Sequence, residues 1–84
     1  MVFDKIQVNG HEFTADGRFS VDEELLKIST VNGDVGLLFK QIEASSEPVE
    51  VVLFKGDTDR YHSKDLKLTH YTVAGGDFKM ELQK

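Results

Sequence analysis

The stretch PVEVVLFKG, from Pro48 to Gly56, admits one secondary structure. Pro48 has no N–H and pushes the residue before it away from helix, while Gly56 permits a sharp exit, so both ends are punctuated. Between them, the apolar residues fall on both faces of a period-2 ladder: Val49, Val51 and Leu53 on one, Val52 and Phe54 on the other. The pattern predicts a strand buried on both sides, with Val52 and Phe54 as much a part of the core as the other three.

The rest of the chain reads as hairpins. Val2 to Val8 is a strand ending at Asn9-Gly10, a strong turn signal because both residue types tolerate the positive φ of a type I′ turn. A two-residue turn sets Val8 opposite His11 and Ile6 opposite Phe13, so Ile6, Val8 and Phe13 share one face and Lys5, Gln7, Glu12 and Thr14 the other. Asp16-Gly17 suggests a further reversal. A two-residue loop there would turn Phe19 away from the Phe13 face, so a longer or bulged loop is expected, with Phe19 and Val21 on the apolar side. A turn at Asp22 to Glu24 then leads into a strand that runs towards Val31.

Asn32-Gly33 repeats the hairpin signal, and a two-residue turn pairs Ile28 with Leu37 and Leu26 with Phe39. The competing pattern is a helix at 35–45 capped by Asp34, in which Val35, Leu38, Phe39 and Ile42 lie at i, i+3, i+4 and i+7 and which stops at Ser45-Ser46 before Pro48. The hairpin is the preferred expectation. Gly56 to Lys64, GDTDRYHSK, is longer than an ordinary hairpin connection and reads as a projecting polar loop. Asp65 to Val73 and Phe78 to Gln83 are strands joined through Gly75-Gly76, which places Val73 opposite Phe78 and Tyr71 opposite Met80. Leu66 and Leu68 then fall on the wrong side, so either a bulge near Thr69-His70 swaps the faces or the strand is covered on both.

The fold class that follows is mainly β, with α+β as the alternative: one domain over residues 1–84, a small antiparallel barrel or sandwich of about six to eight short hairpin-connected strands, with at most one helix, at 35–45. Eighty-four residues with 39% apolar content can fill one modest core and no second one. The chain has no cysteine, which removes disulfides, thiolate nucleophiles and Cys-based zinc sites. Without a leader-like N-terminus or an apolar run near 18 residues, the expectation is a cytoplasmic protein that crosses no membrane. A formal charge of -5, with basic residues scattered singly along the sequence, argues against nucleic acid as partner.

No phosphate-binding glycine loop, dinucleotide fingerprint or zinc-protease motif is present, and no enzyme, cofactor or metal is expected. Ser63 beside His62 is not a nucleophile pair, because neighbours in extended chain point to opposite faces. The Asp/His stretch 57–65, with Asp57, Asp59 and Asp65 plus His62, and His70 beyond it, offers an alternative metal- or ligand-binding site with a weak enzymatic or regulatory role, although an EF-hand counted from Asp57 fails at His62 and Leu68. The leading expectation is a small non-enzymatic protein–protein interaction or assembly module. It would act through a sheet edge, which can take up a strand of another protein or of a second copy, or through the loop carrying Arg60 and Tyr61, residue types enriched at binding hot spots. An acidic inhibitor of a basic partner is a further alternative.

Overall fold

The computed structural model describes all 84 residues. Six strands and one helix follow in the order β1 (Val2–Val8), β2 (His11–Asp22), β3 (Leu25–Thr30), α1 (Gly33–Ser45), β4 (Val49–Lys55), β5 (Thr58–Ala74) and β6 (Asp77–Gln83). Every strand pairing is antiparallel, and the strands close into a barrel in the order β1-β2-β3-β6-β5-β4. The barrel is therefore two three-stranded meanders, β1–β3 and β4–β6, joined by α1 and sealed along β1·β4 and β3·β6.

The middle strand of each meander is long because it serves two partners. β2 pairs with β1 up to Arg18 and with β3 from Gly17 onward, while β5 pairs with β4 from Thr58 to Leu66 and with β6 from Lys67 to Ala74. All the register shifts of the barrel lie on ladders of these two strands. Extra residues bend and twist a strand, and here they let β2 and β5 turn the corners of the barrel. One shift falls between Leu68 and His70, the position where a face swap was expected, and it brings Leu66, Leu68 and Tyr71 to the same side.

Alternation then fills the interior. Phe3, Ile6 and Val8 of β1, Ala15 and Phe19 of β2, Leu26 and Ile28 of β3, Val49, Val51 and Leu53 of β4, Leu66 of β5, and Met80 and Leu82 of β6 are buried together with Val35, Phe39 and Ile42 of α1. The helix packs against β2, β5 and β6, its buried stripe continuous with the barrel core. The Asn9-Gly10 turn takes positive φ at both residues, 50° and 85°, and pairs Val8 with His11 and Ile6 with Phe13 as the hairpin reading requires.

Six expectations are corrected. Asn32-Gly33 opens a helix, not a hairpin. Asn32 has φ −75° and ψ 117°, its side-chain oxygen accepts the Val35 N–H at 3.0 Å, and Leu37, expected opposite Ile28, is exposed on the helix. The cap residue is Asn32 itself and not Asp34. It is fixed from behind by Thr30, whose buried hydroxyl donates to the Asp16 carbonyl at 2.8 Å and accepts the Asn32 N–H at 3.2 Å. The side of β3 that a hairpin would have used is occupied by β6.

Asp16-Gly17 is not a reversal, because β2 runs straight through it. Gly17 lies under the Phe3 ring and the Ser29 carbonyl, so its lack of a side chain serves close packing and not a turn. Val21, expected on the apolar side with Phe19, is exposed. The run from Gly56 to Lys64 is not a projecting loop either. Gly56-Asp57 makes the turn, and the remaining residues run as strand along β4, paired with it except at Arg60 and Lys64. Finally, Val52 and Phe54 are only half-buried and lie on the outside of the barrel, opposite in sense to Val51 and Leu53.

Candidate interaction face

Because Val49, Val51 and Leu53 point into the barrel, Glu50, Val52 and Phe54 point out. Lys5 and Gln7 of β1 stand directly opposite Phe54 and Val52, and on the other side His62 of β5 stands opposite Val52. The Lys5 ammonium sits 5.0 Å from the centroid of the Phe54 ring, within the range of a cation–π contact, and its stem covers part of the ring. His62 Nε2 lies 2.9 Å from Glu50 Oε2 across the same face. α1 makes its main contacts with β2, β5 and β6 and not with β1 or β4, the strands that carry Lys5, Val52 and Phe54. The result is an aliphatic and an aromatic side chain in the middle of an outer sheet face, rimmed by Lys5, Gln7, Glu50 and His62.

Arg60 joins this face and Tyr61 does not. The ladder between β4 and β5 shifts so that Leu53 opposes Tyr61 but Phe54 opposes Asp59, which makes Arg60 the extra residue of a bulge next to the Phe54 position of the ladder. Arg60 is exposed and has no carboxylate within salt-bridge distance. Tyr61 points inward, packs against the core and holds its ring 6.2 Å from that of Phe19. Adjacent residues of one strand thus leave it on opposite sides, and the pair expected to act together on a loop is divided between the outer surface and the barrel wall.

The remaining polar residues of this stretch do not converge. Asp57 lies in the turn, Asp59 opposes Phe54, His62 opposes Val52, Ser63 opposes Val51, and Asp65 takes φ 60° at a second irregularity of the ladder. His70 is on the other ladder, opposite Glu81. No three of the chain's His, Asp and Glu side chains are grouped as a metal ion would need. The barrel is closed, so no strand lies at an outer edge of the ring, and an added strand could reach only those parts of β2 and β5 that extend past a neighbour. On β5, Thr58 to Asp65 lacks a β6 partner and carries two irregularities together with Arg60 and Lys64, while Lys67 to Ala74 lacks a β4 partner and carries the irregularity at Thr69, devices that discourage strand addition.

Val52 and Phe54 were visible in the sequence as the second apolar face of β4. What hid their role was the assumption that a two-faced apolar strand is covered on both faces. No helix is long and apolar enough to cross a membrane. Compared with protein-family models, curated proteins and solved structures, the chain finds no match.

Proposed function

We propose that the protein is a small non-enzymatic interaction module that engages another protein through the outer face of β1, β4 and β5. The observation that carries this reading is the outward-facing, half-buried pair Val52 and Phe54 at the centre of a sheet face with polar and charged neighbours around it. Interfaces concentrate their binding energy in a few central aromatic, aliphatic and Arg side chains surrounded by a polar rim that excludes water. Phe54 and Val52 supply the apolar centre, Arg60 supplies the adjacent cation, and Tyr61 supports the strand from within. A partner presenting an apolar side chain flanked by carboxylate would cover Phe54 and pair with Arg60 together.

The test compares the tagged wild-type protein with a Phe54→Ala, Arg60→Ala double variant as baits in a lysate of the source cell, with melting curves of both. The expected outcome is a defined protein retained by wild type and lost by the variant, whose melting temperature falls by only a few degrees. If the same protein is retained by both baits, the contact lies elsewhere on the barrel. If light scattering instead shows wild-type mass rising with concentration and the variant remaining monomeric, the partner is a second copy of the chain.

A further inference from the structure

A second surface gathers charge in a way that the linear sequence conceals. On the outer side of β2, β3 and β6, Arg18, Ser29 and Lys79 form one cross-strand row, and Ser20, Lys27 and Glu81 form the next. These six residues, together with Phe19, Ile28, Met80 and Met1, whose ammonium donates to the Phe19 carbonyl at 3.0 Å, line a shallow depression of about 480 Å³, within the size range of small-ligand sites. Three side-chain cations therefore stand around Ser29, in a chain that has 15 acidic residues against 10 basic ones.

None of the three is neutralised. The ion pairs of the chain are Lys55 with Asp4 and His62 with Glu50, so Arg18, Lys27 and Lys79 all lack a carboxylate within 4.0 Å, even though Glu81 is the cross-strand neighbour of Lys27. The Ser29 hydroxyl donates to Asp77 at 3.1 Å, so one carboxylate borders the Arg18–Ser29–Lys79 row without forming an ion pair with either cation. Like charges on neighbouring strands repel, and an anion seated between them would relieve the repulsion.

We infer that this depression binds a small ligand carrying a chain of two or three phosphates, held by Arg18, Lys27 and Lys79. Arg18 and Lys79 stand two strand spacings apart, about 10 Å between Cα atoms, and Lys27 lies two residues from Ser29 along β3, about 7 Å away. That spread exceeds one phosphate group and matches a short polyphosphate, with the Arg18 guanidinium gripping two oxygens at once and the lysines acting as point charges. A long polyanion fits less well. The patch is bounded by Asp16 and Asp77 at one end, where the adjoining Lys55 is already paired with Asp4 at 3.9 Å, and by Asp22, Glu23 and Glu24 at the β2–β3 turn at the other, so no track of unpaired cations continues past it.

The test is an NMR titration of the full chain with sodium tripolyphosphate at low ionic strength. Saturable amide shifts are expected at residues 18–20, 27–29 and 79–81. Arg18→Gln and Lys79→Gln should each weaken binding by about 10-fold, the equivalent of roughly 1.4 kcal/mol. Lys64→Gln, the same charge change on β5, should leave binding unaltered. All three side chains are exposed, so the variants should melt as wild type does. The inference fails if the shifts do not saturate, or if Lys64→Gln weakens binding as much as Arg18→Gln does, which would indicate attraction by overall charge. It also fails if a single-stranded oligonucleotide occupies the same residues far more tightly than tripolyphosphate, because the occupant would then be a nucleic acid strand.

Discussion

A methyl group added at Gly17 would meet the Phe3 ring on one side and the Ser29 carbonyl on the other, and only the ring could move aside. Gly17→Ala should therefore lower stability by about 1–3 kcal/mol, as overpacked sites do, and thermal unfolding will measure it. The cost would come from crowding, since the backbone at Gly17 is ordinary extended strand. A paired comparison along β4 tests the inside–outside assignment. Leu53, wholly buried, should cost about 2–5 kcal/mol on truncation to Ala, whereas Phe54→Ala should cost nearer 1 kcal/mol. Equal losses at the two positions would mean that Phe54 is covered by something the barrel itself does not provide. Residue patterning showed that both faces of β4 are apolar. It did not show which is interior, because alternation fixes only that the two faces differ.

At the level of elements, the same dipeptide has two fates. Asn9-Gly10 links strands that pair with each other, and both residues adopt positive φ. Asn32 follows a strand whose free side is taken by β6, a segment from the far end of the chain, so nothing downstream is left to pair with it locally, and the apolar period of 35–42 decides for helix. The helix periodicity was legible in the sequence. The competitor for the edge of β3 was not, since long-range pairing leaves no local trace. The bulge at Thr69 was legible as one of two alternatives: Gly75-Gly76 fixed one register and the leucines demanded another, which an extra residue or a strand covered on both faces would reconcile, and the extra residue is what the strand has. The Thr69 hydroxyl donates to the Glu81 carbonyl at 3.1 Å across that irregularity. Asn32→Ala removes the helix cap and should cost about 1 kcal/mol by chemical denaturation. Amides of the first helical turn should also lose protection from hydrogen exchange, a signature that would be absent if Asn32 were a turn residue.

In the whole molecule, closure explains both what the sequence reading reached and what it missed. A mainly β barrel followed from the density of hairpin signals, but the cation cluster of Arg18, Lys27 and Lys79 needs the register of three strands, one of them about 50 residues from the others, and basic residues that look scattered along the chain become neighbours only after β6 docks on β3. The assignment of Gly56 to Lys64 to a loop failed for a related reason. A polar strand is normal at a barrel corner where one side of the strand lacks a partner, and polarity alone does not distinguish it from a connection.

The two seams have a consequence for how the chain reaches this state. Each meander can zip from its own turns, but β1·β4 and β3·β6 join residues about 50 positions apart, so the ring closes only after the loop-closure entropy of half the chain has been overcome. Refolding should accordingly take milliseconds to seconds, not the microseconds open to a helical chain of this length, and stopped-flow fluorescence of the tyrosines will time it. Until the seams meet, β1, β3, β4 and β6 each present an unpaired edge to other molecules. The danger of intermolecular pairing therefore belongs to the journey and not to the destination, and destabilising a seam should raise aggregation during refolding more than an equal loss of stability placed within a hairpin.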